Sequence, residues 1–335
     1  MTSYAVETRE LCRTFTSKEK RGEPKKVVNA LENANLTVKP GELFGVLGPN
    51  GAGKTTLIKI LSTLLLPTKG EAFVHGHSVK TESHKIRYHI NMVCGGESSG
   101  YGLLTVRENL WMFSQFYGIP SKLAKGRIDE LLGVMNLQDK GDAKVRTLST
   151  GMRQKMNMVR GFMTDPAIIF LDEPTLGLDV TTSRQIRLFV KEWVKAETDR
   201  TVLLTTHYMM EADELCDRIA IIDKGTVLAC DTPENLKRRV KRESVLRIEV
   251  TGMGDAKPVS GIKGIHAFNA ITDPAKGVTT ISLILDEESA ISDILSAITK
   301  GGGRIQAMQK TDPTLEDVFI TLVGRGLEND NDNQP

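Results

Sequence analysis

Between an apolar run and a helical pattern stand Gly48, Pro49, Asn50, Gly51, Ala52, Gly53, Lys54 and Thr55. No other stretch narrows so far what this chain can fold into. The spacing is G-x-x-x-x-G-K-[ST], a phosphate-binding loop that needs a strand before it and a helix after it. Its glycines let the backbone curl until successive N–H groups face phosphate oxygens, and the helix that follows adds the positive end of its dipole. Lys54 reaches the outer phosphates, and the Thr55 hydroxyl is a candidate Mg²⁺ ligand. Thr56 continues the loop into the helix. At average glycine usage of about 7%, chance gives this pattern in roughly 1 of 100 chains of this length. Both flanks are present: Leu43–Leu47 reads as a buried strand and Thr55–Leu65 as a helix. The opening is therefore that of an α/β fold.

Such a loop needs an acidic partner on a neighbouring strand. Ile168-Ile-Phe-Leu-Asp-Glu173 supplies one. Its apolar residues bury the strand and carry Asp172 to the C-terminal end, where ligands sit in α/β sheets. Asp172 is the candidate to hold Mg²⁺ through water, and Glu173 to orient and activate an attacking water. A second apolar strand, Leu203-Leu-Thr-Thr-His207, ends on a histidine. At a sheet edge that already carries phosphate chemistry, His207 reads as a γ-phosphate contact.

Leu148-Ser-Thr-Gly-Met-Arg-Gln154 lies between these motifs and resembles the LSGGQ-type signature of ABC ATPases, with Thr150 and Met152 as departures. The resemblance extends over residues 4–235. Phe15 matches the aromatic that stacks on adenine, Gly177-Leu-Asp179 the D-loop, and His207 the switch histidine. It implies an ABC cassette of the P-loop NTPase fold, with a mixed sheet and a helical subdomain at about 98–165, using ATP and Mg²⁺. It also implies that Ser149, Gly151 and Asp179 of one subunit complete the site of a second copy or homologous subunit, two ATP molecules being sandwiched between them. The family has a Gln in the loop after the strand at Val93. Here that loop reads Val93-Cys-Gly-Gly-Glu-Ser-Ser99, and Glu97 or a backbone group at Gly96 is the candidate replacement near the metal. The aromatic stripe Trp111–Tyr117 reads first as core. In the family this region lies beside the groove for the transporter's coupling helix, which an exposed aromatic would anchor.

The 335 residues suit about two domains. The cassette is expected over 1–236, a small α+β domain over 237–326, and a polar, disordered tail over 327–335. The second domain is read from strands at Val245–Val250, Val278–Leu285 and Arg304–Met308, with helices at Glu288–Thr299 and Thr314–Val323. Lys237–Arg242 reads as a basic linker, and Lys18–Lys26 as a solvated loop. His207-Tyr-Met-Met-Glu-Ala-Asp-Glu214 and Asp312-Pro-Thr-Leu-Glu-Asp-Val-Phe319 resemble the ABC-2 export group, which includes daunorubicin-resistance and sodium-efflux ATP-binding subunits.

A net charge of +2 gives no basic field for nucleic acid. No apolar run approaches the ~20 residues that span a bilayer, and Met1–Glu10 lacks the basic start of a signal peptide. The four unpaired cysteines read as reduced thiols. The resemblance thus implies a transporter ATPase held peripherally at the cytoplasmic face of the membrane by a polytopic permease. A non-transport ABC ATPase acting on ribosomes or DNA is the alternative, but the chain has neither a second cassette nor a long coiled coil. The presence of both Glu173 and His207 argues against a scaffold that binds nucleotide without hydrolysing it.

Overall fold

Apolar and polar residues alternate from Ala34 to Val38 at the end of β2 (Val27–Val38), which pairs antiparallel with β1 (Val6–Thr16), Val6 opposite Val38 and Thr16 opposite Val27. The structure is a computed structural model that describes residues 4–16, 27–96, 100–240, 245–253, 257–273 and 276–323. The charged tract at 18–26 and the tail at 327–335 lie outside them.

Leu43–Leu47 (β3) is buried at every position, the signature of a strand covered on both faces. Helix α1 (Lys54–Leu61) stops short of the expected Leu65. Thr63, a β-branched residue, takes a φ of 62° there and turns the chain away. Lys69–Val74 (β4) returns to pair antiparallel with β1, and His77–Ser78 (β5) extends that sheet, in the order β2-β1-β4-β5. The sequence reading missed β4, whose apolar residues are few. The short α2 (Ser83–Ile86) then leads into β6 (Ile90–Cys94).

Three helices follow: α3 (Val106–Phe116), α4 (Ser121–Val134) and α5 (Thr150–Phe162), packed on one another. A capping box starts α3: Thr105 accepts from the Glu108 amide, and Glu108 reaches back to the Thr105 amide. Val106, Asn109, Leu110 and Ser114 form its buried face. The aromatic stripe is not core: Trp111, Phe116 and Tyr117 are 43%, 70% and 52% exposed. Helical spacing turns them away from the face that Leu110 buries.

The chain then re-enters the main sheet through β7 (Ile168–Asp172), α6 (Val180–Ala196), β8 (Thr201–Thr206), α7 (Met209–Leu215), β9 (Arg218–Asp223) and β10 (Thr226–Asp231). The six-stranded order is β10-β9-β3-β8-β7-β6, and β9, β3, β8, β7 and β6 run parallel. Residues of β7 and β8 are buried throughout. Register matters most here. Leu47 lies opposite Thr206, and Asp172 opposite Thr205. The carboxyl ends of β3, β7 and β8 therefore finish in one row, and whatever follows each strand meets the others.

The chain divides into two compact units, Met1–Val227 and Leu228–Pro335. In the second, α8 (Pro233–Lys237) already contains the first residue of the expected linker; Thr232 caps it and Pro233 opens it. Residues 241–242 of that linker lie outside the described residues. Strands β11 (Val245–Thr251), β12 (Ile265–Asp273), β13 (Val278–Leu285) and β14 (Arg304–Lys310) form an antiparallel sheet in the order β12-β13-β11-β14, with the short α9 (Lys257–Ser260) between β11 and β12. Helix α10 (Ala290–Lys300) lays Ala290, Ile294 and Ile298 on Leu246, Ile248, Val250, Ile281 and Leu283. Helix α11 (Leu315–Val323) starts as expected at Thr314, whose hydroxyl and amide both donate to the Asp317 carboxylate, at 2.7 and 2.8 Å. Sequence reading had missed β12.

Candidate active site

The row of strand ends fixes the site. Gly48 follows β3 and donates its amide to Thr206 O. Gly53 takes a φ of 105° as the cap of α1, and a Cβ there would stand 2.3 Å from Ala30 O, so only glycine fits. The loop ends on Lys54, which is buried and donates to Gly48 O at 2.7 Å and to Pro49 O at 3.0 Å. Its ammonium also lies 3.1 Å from Glu173 Oε1.

Asp172, the last residue of β7, is buried. Its Oδ1 accepts from Thr55 Oγ1 at 3.2 Å and from Thr205 Oγ1 at 2.5 Å. Glu173 comes next with a φ of 51°, a strained position for a non-glycine residue. Its amide is held by Thr205, whose carbonyl is 3.1 Å and hydroxyl 3.2 Å away. Gly95 packs so tightly that a Cβ would stand 1.8 Å from Glu173 O. His207 leaves β8 and places Nδ1 at 2.6 Å from Glu173 Oε2. Both oxygens of Glu173 are therefore engaged. Burial alone would raise this carboxyl, but the hydrogen bond from His207 and the charge of Lys54 outweigh it and hold it below its ordinary value.

This row of strand ends borders a cavity of about 410 Å³, of which Gly48, Ala52 and His207 are not lining residues. Pro49, Asn50, Gly51, Gly53, Lys54, Thr55, Thr56, Asp172 and Glu173 all face it, as the motifs require. Val28, Asn29, Ala30, Gly95 and Leu176 face it too, and sequence reasoning did not find them. The first three carry no phosphate-binding pattern and arrive only because β2 folds beside the loop. Thr205 was also missed; its one signal is that it stands two residues before His207.

Phe15 is not a lining residue. It sits opposite Val28 in the β1–β2 ladder, at the cavity's margin, 39% exposed, with the Arg13 guanidinium 4.6 Å over its ring. Ser149, Gly151 and Asp179 do not line the cavity either. Ser149 caps α5, Asp179 caps α6, and Gly151 packs against Thr182 of that second cap. The three thus gather where the starts of α5 and α6 meet, outside the cavity lining. The Asp179 carboxyl is held low, first by the Thr182 amide. Glu97 lies outside the described residues.

A looped backbone that curls around a buried lysine, a hydroxyl–carboxylate pair and a glutamate–histidine pair in one row defines an ATP-hydrolysing cassette. Residues 31–176 match the ABC transporter family, and residues 232–323 match the C-terminal domain of DrrA1-3-like ATP-binding proteins. The chain is 36% identical to the daunorubicin resistance ATP-binding protein DrrA3 of Streptomyces coeruleorubidus, over 93% of this chain and 95% of that protein. It is 35% identical to the Nod factor export ATP-binding protein I of Burkholderia orbicola (strain AU 1054), over 94% of this chain and 97% of that one. The chain belongs to the ATP-binding proteins of ABC transporters, and it is an ATPase serving transport. Among solved structures it resembles the dimeric post-hydrolysis state of the ATP-binding cassette MJ0796 bound to ADP and Pi. That likeness has a TM-score of 0.60 at 28% identity, over 68% of this chain and 98% of that one. Among the described residues no helix is long and apolar enough to cross a membrane.

Proposed function

We propose that this chain is the ATP-driven subunit of an exporter whose membrane-spanning part is a separate polytopic chain, and that two copies, or one copy and a homologous subunit, close around two ATP molecules to drive it. The observation that carries this reading is the convergence of Lys54, Asp172, Glu173 and His207 at one row of strand ends, while Ser149, Gly151 and Asp179 gather outside the cavity lining. Residues so placed are free to cap a phosphate held by another subunit.

In this reading the loop amides and Lys54 bind the phosphates, and Phe15 meets the adenine at the cavity margin. The Thr55 hydroxyl and the Asp172 carboxylate, 3.2 Å apart, make an all-oxygen pair suited to Mg²⁺, which takes few protein ligands. Bound there, Mg²⁺ would offset the charge of the outer phosphates. Glu173, ionised and oriented by Lys54 and His207, accepts the proton of the attacking water. The Nδ1 of His207 is occupied by Glu173, which leaves Nε2 for the γ-phosphate. Closure with ATP and opening after hydrolysis form a population shift driven by differential affinity, and it moves the attached permease. The chain then works peripherally, at the cytoplasmic face of the membrane.

The test is Glu173→Gln. It should retain ATP binding and slow hydrolysis by ~10²–10⁴-fold, the usual loss for a general base. At saturating Mg-ATP the same variant should dimerise by light scattering. Unchanged turnover would overturn the role of Glu173, and a monomer would overturn the sandwich.

A further inference from the structure

One buried acid in the first unit has no part in the chemistry above. Glu211 lies on α7, four residues beyond His207, and is 2% exposed. Its Oε1 accepts from Thr175 Oγ1 at 2.9 Å. Thr175 is itself buried, in the turn two residues beyond Glu173. The same turn is closed by Leu176 N to Glu173 O, and Thr175 O accepts from Leu178 N just before Asp179 caps α6. A single carboxyl thus joins the helix that follows His207 to the turn that follows Glu173 and leads to Asp179.

We propose, building on the ATPase reading, that Glu211 is a positioning residue: its bond to Thr175 sets the separation of Glu173 and His207 and hence the rate of hydrolysis. The Glu173–His207 contact of 2.6 Å spans two segments that follow different strands. Strand register brings them together, and bonds beyond the strand ends, from backbone and side chain alike, set the final distance. The Glu211–Thr175 bond is one such, out of water, where a hydrogen bond is worth most. Burial pushes the Glu211 carboxyl up, against the pull of the Thr206 and Thr175 hydroxyls and of Arg187, and the charge of Glu173 adds to the rise. Glutamine matches the glutamate side chain in length and offers Thr175 the same acceptor oxygen, so it is the conservative replacement.

The experiment measures steady-state ATPase kinetics of the full chain for Glu211→Ala, Glu211→Gln, Thr175→Val and the Ala/Val double variant, with wild type and Glu173→Gln alongside. A displacement of about 1 Å at a reacting pair costs up to ~100-fold. Glu211→Ala should therefore lose ~10- to 100-fold in kcat, with KM for ATP within about twofold. Glu211→Gln should stay within about threefold of wild type. Thr175→Val should fall in the same direction, and the double variant should be no slower than Glu211→Ala, because the two act through one bond. A merely structural Glu211 would lower the melting temperature and leave kcat of the folded fraction intact, which would overturn the proposal. Glu211→Gln as slow as Glu211→Ala would also overturn it. If Glu211→Ala fails to fold, normal kcat in Thr175→Val overturns it alone. Failure of the ATPase reading itself has a different mark: wild type and Glu173→Gln would turn over ATP equally.

Discussion

Replacing Thr205 by valine keeps the shape of a fully buried side chain and removes one hydroxyl. That hydroxyl donates to Asp172 Oδ1 at 2.5 Å and accepts from the Glu173 amide at 3.2 Å. A hydrogen bond to a charged group contributes about 1.5–3 kcal/mol. The new methyl returns up to about 0.8 kcal/mol of apolar burial. The Glu173 amide keeps the Thr205 carbonyl at 3.1 Å, so it is not orphaned. The net cost should be about 1–2 kcal/mol, which in a unit of this size lowers the melting temperature by roughly 2–8 °C. The functional consequence is distinct. With one of its two hydroxyl donors gone, Asp172 keeps the Thr55 hydroxyl and, in the role proposed above, should hold Mg²⁺ less well. The Mg²⁺ concentration for half-maximal ATPase should rise about 3- to 10-fold, equivalent to about 0.7–1.4 kcal/mol. Nucleotide binding measured with EDTA should not change. Thr205→Ser, which keeps the hydroxyl, should behave as wild type towards Mg²⁺. Differential scanning fluorimetry and a Mg²⁺ titration of turnover read both effects. A valine variant with wild-type melting and wild-type Mg²⁺ dependence would refute the assignment of Thr205 as the support of Asp172.

Trp111 is 43% exposed and lines an apolar recess with Arg107, Glu108, Lys125, Ile128 and Asp129. Trp111→Ala should weaken co-purification with a membrane partner from solubilised membranes and leave the isolated chain folded by circular dichroism; an unfolded variant would mean that the side chain is core after all. The pH dependence follows from the lowered Glu173 carboxyl. Its stabilising contribution is present above the unfolded value of 4.5 and is lost as pH falls through the lower folded value, so urea denaturation should find wild type more stable than Glu173→Gln at pH 7 and the two converging below 4.5.

The phosphate loop, the acidic pair after β7 and the histidine after β8 were legible because their chemistry depends on adjacent residues. Backbone amides that must curl around phosphate need glycine at set positions, and a buried strand that must end on a carboxylate needs an apolar run before it. The helix start at Thr314 was legible for the same reason, whereas the cap that Ser149 makes on α5 was not read from the sequence. Contacts made across the sheet were not. The sequence does not say that Asp172 stands opposite Thr205, so the support that Thr205 gives to Asp172 and to the strained Glu173 had no local signature. Val28, Asn29 and Ala30 join the cavity through the pairing of β2. Trp111 and its neighbours misled as a stripe, because an aromatic run does not say which side of a helix meets its partners, and Leu110 and Ser114 took that side. The sequence by itself determined which groups could bind and cleave a phosphate, since those properties reside in residue type and short spacing. Tertiary structure alone decided that Lys54, Glu173 and His207 meet, because strand register and the bonds beyond the strand ends set the distances between segments far apart in the chain.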